Sequence, residues 1–259
     1  MITLKKFTEV DNKTIMQAWA ESFADYLVKM QLSEEAFFGR MEEFSLDPNL
    51  SSVAFAGDRP VGFSAFGRMD GFSWCGGLGV IPDFRGEGAS VLLMDEMVRE
   101  AAGTKFKLEV ITENERALKF YLRYGFEVIN ELFFLEGKLD AIPDEWQEEP
   151  YKLSDDPLKT PWQNLAKFNP QKTGSRFSLG ENKSFVLKYQ LSERGVEVAE
   201  LELADGTNLS DALAALAFRF GTGTGLFLNN CPLSESVKAE FLASGFSKRI
   251  SQLQMVKSC

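Results

Sequence analysis

Residues 79–90, GVIPDFRGEGAS, place one arginine and two following glycines between an apolar run and the start of a helical pattern. A glycine-rich turn leading from a strand into a helix presents several backbone N–H groups, unencumbered by side chains, to one point. That point attracts an anion. Arg85 adds a full positive charge and a two-pronged donor suited to phosphate. The helix end itself supplies only about 0.3–1 kcal/mol, so convergent N–H donors must carry most of such binding. A plain tight turn is the alternative, because glycines before a helix commonly do no more than that. The dinucleotide pattern GxGxxG fits poorly, since only Gly86 and Gly88 follow the arginine, and no GK[ST] is present for a P-loop.

Composition narrows the remaining chemistry. The 259 residues contain no histidine, which excludes Ser-His-Asp and Cys-His catalysis and any histidine-ligated metal. Cys75, Cys231 and Cys259 are odd in number and match neither a disulfide framework nor a zinc site, so free thiols and no metal are expected. A net charge of -10 disfavours non-specific nucleic-acid binding; it serves solubility and mildly favours a cationic substrate. No apolar stretch approaches the roughly 18 residues of a membrane span, and MITLKKFTEV lacks a signal-peptide core. The expected setting is the cytoplasm, away from membranes.

The elements that must position Arg85 follow from periodicity. ITLKKF reads as a strand; Ile15, Trp19, Phe23 and Tyr26 then mark one helical face, and Phe37, Met41 and Phe44 a second, capped by Ser33 before Glu34 and Glu35. SSVAFAG, PVGFSAFGRM and FSWCGGLGVI form an antiparallel meander turning at Asp58-Arg59-Pro60 and Asp70-Gly71. After the loop, Val91, Met94, Val98 and Ala101 predict a helix with that side on the sheet. FKLEVI, NERALKFYLRYGF with a left-handed cap at Gly125, and EVINELFFLEG complete the order βααβββαβαβ.

VIPDFRGEGAS together with LEVITENERALKFYLRYGFEV closely resembles the GNAT superfamily of acetyl-coenzyme A-dependent N-acetyltransferases. Val80, Pro82, Arg85 and Gly88 match the first family motif, with Ser90 at its final small position. Asn114, Ala117, the Phe120-Tyr121 pair and Gly125-Phe126 match the second. The resemblance implies a GNAT fold, an α+β (α/β) class with a mixed, mostly antiparallel central sheet flanked by helices. It implies that backbone N–H groups of Arg85, Gly86, Glu87, Gly88, Ala89 and Ser90 hold the coenzyme pyrophosphate. It also implies that Leu78, Gly79 and Val80 lie on a strand splayed to receive pantetheine. Asn114 would contact that arm, with Ala117 and Phe120 beside it, and Tyr121 would give a proton to the departing thiolate.

From about residue 138 to 182 periodicity is lost and Pro, Asp and Asn accumulate, which reads as a connector packed in part by Trp146 and Trp162. Beyond it SFVLKYQ, GVEVAELEL, LSDALAALAFRF, GLFLNN, SESVKAEFLASGF and KRISQLQMV run ββαβαβ and end their last helix in Gly245-Phe246. Phe241 stands in the place of Tyr121 and Ser234 in that of Asn114, and the loop has become LADGTNLSDA. Expected domains are thus a GNAT domain at 1–137, a connector at 138–182 and a degenerate GNAT-like copy at 183–259, an unrelated small α+β domain being the alternative. The expected reaction is direct transfer of acetyl from acetyl-coenzyme A to a small-molecule amine. N–H groups near Val80 stabilise the oxyanion, Tyr121 is the acid, and Glu109 is the candidate base. A coenzyme-responsive regulatory module and transfer of a longer acyl group are the other readings.

Overall fold

The protein is described from a computed structural model, over residues 1–152, 156 and 160–259. Six α-helices and a mixed set of strands in these residues give an α+β protein. Two compact units share the chain discontinuously. The first comprises Met1–Glu109, Arg116–Glu127 and Met255–Cys259, and the second Val110–Glu115 and Val128–Gln254.

The first unit begins with β1 (Ile2–Lys6), α1 (Asn12–Ser22) and α2 (Glu34–Glu43). Side chains start both helices, Asp11 accepting the Thr14 N–H and Ser33 that of Ala36. The face of Ile15 and Trp19 is buried as its spacing requires, but α1 ends at Ser22 and Phe23 is its C-cap, leaving Tyr26 in the turn beyond. β2 (Ser52–Ala56), β3 (Arg59–Met69) and β4 (Phe72–Val80) form the meander, and α3 (Ala89–Glu100), β5 (Lys105–Ile111) and α4 (Glu115–Arg123) follow. The strand order is β1-β2-β3-β4-β5, antiparallel except for the parallel β4/β5 pair. Trp19, Phe37 and Met41 bury one face of this sheet with Val53 and Phe63. Ala89 and Leu93 of α3 cover Ala54 and Val61 on the other.

The predicted face of α3 is kept in part, since Met94 and Ala101 are buried and Val98 half-buried, but it widens toward Leu93 and Met97 and loses Val91. Leu93, Met94 and Met97 are buried, whereas Val91 is 45% exposed. Its apolar residues cover more than one stripe, and packing on the sheet selects the stripe through Leu93.

The second unit takes β6 (Glu127–Lys138) from Val128 onward, so the predicted boundary at 137 falls near the end of a strand already in this unit. The stretch read as connector holds β7 (Gln147–Pro150) and β8 (Thr173–Leu179); residues 153–155 and 157–159 of it lie outside those described. β9 (Lys183–Ser192), β10 (Gly195–Leu203), α5 (Leu209–Phe220), β11 (Gly225–Pro232), α6 (Glu235–Ala243) and β12 (Ser247–Ser258) match the predicted ββαβαβ. Strands run β6-β11-β10-β9-β8-β7 around a core that includes Phe133, Phe185, Leu187, Leu216 and Phe241. β12 gives residues up to Gln254 to this unit, and from Met255 onward it belongs to the first, where Cys259 exchanges backbone bonds with Gly103 (3.0 Å) and Thr104 (3.1 Å).

Candidate active site

β4 keeps its antiparallel partner along its length but leaves its parallel one early. Only Phe72, Ser73 and Trp74 pair with β5, opposite Lys105, Phe106 and Lys107. Two residues later Gly76 is extra in the β3–β4 register, between Cys75 opposite Phe66 and Gly77 opposite Ala65. A bulge there turns the strand, and the edge from Cys75 to Val80 does not pair with β5. Gly76 is exposed, and Leu78 and Val80 are half-buried. Glycine at 79 is required for close packing: a Cβ there would lie 2.6 Å from Ser22 Cβ and 3.0 Å from the Phe63 ring. Glu109 lies on β5, two residues beyond the last pair, half-buried with Oε1 fully enclosed.

The glycine loop sits at the end of this parted edge. A short 3-10 turn, Pro82–Phe84, leads into it, and Gly86 (φ 88°) and Gly88 (φ 93°) adopt left-handed backbone. A Cβ on either would meet nothing within 4 Å, so backbone conformation and not crowding demands glycine. Gly88 is the N-cap of α3 and no side chain caps that helix, which leaves first-turn N–H groups beside Ala89 and Ser90 for an outside acceptor.

The Arg85 side chain is committed elsewhere. Its Nη1 and Nη2 donate to Asp25 at 2.5 and 2.6 Å, and its Nε donates to the Val80 carbonyl at 3.0 Å. The guanidinium thus ties the loop to the chain just after α1, and the backbone is what the loop offers an anion. This arginine holds the Asp25 carboxyl below the ordinary carboxylate range. No local pattern marks Asp25, since its salt bridge to Arg85 spans 60 positions.

Tyr121 is buried on α4 and belongs to the same unit as the loop and β4. Burial first, then nearby Cys75 and Tyr26, raise its phenol well above 10, so it carries its proton at neutral pH. Burial also pushes the Cys75 thiol up to about 12. Cys75 is thus a neutral neighbour of Tyr121 that sequence reading did not connect to it. Phe120 packs edge-on against Tyr121, with ring centroids 5.7 Å apart. Tyr124 is structural, its hydroxyl donating to Asp95 (2.8 Å) and to the Val91 carbonyl (3.2 Å) on α3. Asn114 immediately precedes α4, its N–H donating to the Ile111 carbonyl at 2.9 Å, and lies in the segment Val110–Glu115 of the second unit; Ala117 is half-buried on α4.

Residues 13–126 match the model of the Acetyltransferase (GNAT) family, and they form a GNAT acetyltransferase domain. The fold is similar along nearly its whole length to a GCN5-related N-acetyltransferase from Sphaerobacter thermophilus, with TM-score 0.61, 11% identity and coverage of 99% of this chain and 95% of that one. It is also similar to a putative acetyltransferase from Pyrococcus horikoshii, with TM-score 0.56, 13% identity and coverage of 100% and 89%. A GCN5-related glucosamine N-acetyltransferase region of a fungal multi-domain β-N-acetylglucosaminidase gives TM-score 0.63 at 15% identity, covering 98% of this chain and 38% of that one. No curated protein matches the sequence significantly. Among the described residues no helix is long and apolar enough to cross a membrane.

Proposed function

We propose that the first unit transfers an acetyl group directly from acetyl-coenzyme A to a primary amine of a small cationic acceptor. The observation that carries this reading is the parting of β4 from β5 after Trp74, with an uncapped helix start at the end of the freed edge. These features fit an extended amide-bearing arm followed by a pyrophosphate: an unpaired strand edge accepts the one, and convergent N–H groups the other. Acetyl-coenzyme A supplies the thioester to be attacked.

Each further step belongs to the chain's own groups. N–H groups of Gly86 to Ser90 bind the pyrophosphate, Leu78 to Val80 align the arm, and a β4 N–H near Val80 faces the charge that develops on the carbonyl oxygen. Ala117 and Phe120 complete the binding set within this unit. Tyr121 Oη gives its proton to the leaving sulfur; its burial keeps that proton in place until a thiolate, itself a strong base, develops. Glu109 is the proposed base for the incoming ammonium. The acidic balance of the chain supports a cationic acceptor, and three free thiols suit a reducing, cytoplasmic setting.

The test is thiol release from acetyl-coenzyme A across polyamines, aminoglycosides, amino acids and peptide amines. One acceptor class should turn over, and Tyr121→Phe should lower kcat by about 100-fold or more while leaving coenzyme affinity nearly unchanged. Binding without turnover on any amine would instead support a regulatory module. Faster turnover with propionyl- or succinyl-coenzyme A would replace acetyl as the group transferred.

A further inference from the structure

The second unit repeats the strand parting of the first. β10 pairs in parallel with β11 over three residues, Val196–Val198 against Leu226–Leu228, as β4 does with β5. One residue later Ala199 is extra in the β9–β10 register, close to the place Gly76 holds in β4. α5 follows β10 and α6 follows β11. α4 and α6 end alike as well: Gly125 and Gly245 are left-handed, and Phe126 and Phe246 each donate an N–H back, to Tyr121 and Phe241, at 3.1 Å.

What differs is what fills the gap. Asn164 ends a short 3-10 turn, Trp162–Asn164, and is 4% exposed. Its Nδ2 donates to the Ala199 carbonyl at 3.1 Å and to the Asn230 carbonyl at 3.0 Å, one acceptor on each parted strand. Its Oδ1 accepts from Lys172 Nζ at 3.1 Å, and its main-chain carbonyl from the buried Lys188 Nζ at 2.6 Å. Buried Trp162, Leu165 and Phe168 anchor the turn. The strand β11 is shaped to this contact: Asn230 has φ 55°, where the register with β6 shifts.

The helix that follows is closed as well. Asn208 caps α5 by accepting the Asp211 N–H at 2.9 Å, and the Asp211 carboxylate accepts the Asn208 N–H in return. Side chains therefore occupy N–H groups that α3 leaves uncapped, and the Asp211 carboxylate, paired with Lys183 Nζ at 2.9 Å, fills the place an anion would need.

We infer that Trp162–Asn164 is a built-in plug in the second unit's counterpart of the coenzyme slot, so that each chain takes one coenzyme, in the first unit alone. This rests on the function proposed for the first unit. Titration calorimetry of the full chain with coenzyme A should give one molecule bound per chain, and Ser90→Glu, which sets a negative charge at the start of α3, should abolish it. Two molecules per chain, or one that survives Ser90→Glu, would overturn the inference. Absence of all binding would sink the first unit's reading instead, and the plug would then be decided by hydrogen exchange of the Asn164 side-chain amide in labelled protein. A closed slot slows that exchange by about 100-fold or more relative to a free amide; exchange at the free rate refutes it.

Discussion

At the scale of single residues, the loop depends on two features that differ in how far they could be read. Gly86 and Gly88 were legible because a tight turn from a strand into a helix calls for left-handed backbone, which glycine adopts at no steric cost. The strain is also measurable. Gly88→Ala must hold φ near 93°, at a cost of about 1–2 kcal/mol; thermal unfolding should register the loss and the KM for acetyl-coenzyme A should rise. Asp25 was not legible, because its meaning lies in Arg85 and only folding joins them. The arginine depresses the Asp25 pKa chiefly through hydrogen bonding. The contribution of the pair is therefore complete above the ordinary carboxylate range and is lost as pH falls through the depressed value in the folded chain. An exposed pair of this kind adds little to global stability, so the effect belongs in the loop. Coenzyme affinity should hold at neutral pH and weaken in acid, and Asp25→Asn should weaken it at neutral pH and remove that acid limb. An unchanged limb in the variant would assign it to another group.

At the scale of elements, the order of strands and helices in the first half was readable from alternating and helical periods, since each element there buries one face. The phase of α3 was legible only in part: Met94 and Ala101 are buried as the spacing predicts, but Leu93 takes the core place expected of Val91. The outcome predicts a contrast between neighbours: Leu93→Ala should cost about 2–5 kcal/mol in denaturant unfolding, and Val91→Ala within about 0.5. A larger loss at Val91 than at Leu93 would contradict this packing. β7 and β8 escaped sequence reading for a different reason. Gln147–Pro150 is exposed throughout and thus has no apolar alternation to show, and β8 lies in a stretch rich in Pro, Asn and Lys that suggests loops.

At the scale of the whole molecule, repetition was visible in the order of elements, but the division of the chain was not, since no local signal tells a strand which neighbours it will join. The first unit needs Met255–Cys259, whose last residue bonds to Gly103 and Thr104 and whose Ser258 Oγ accepts from Lys105 Nζ at 2.6 Å. Deleting these five residues should lower the stability of the first unit and, with it, coenzyme binding, read by calorimetry against the intact chain. A fragment ending at residue 137 should likewise be less stable than the intact chain, and a fragment of equal stability would show that Met255–Cys259 is dispensable. The same arrangement orders events during translation. Most of the first unit is made before residues 128–254, yet the segment that completes it follows them, so the nascent chain must carry an unfinished first unit while the bulk of the second is synthesised.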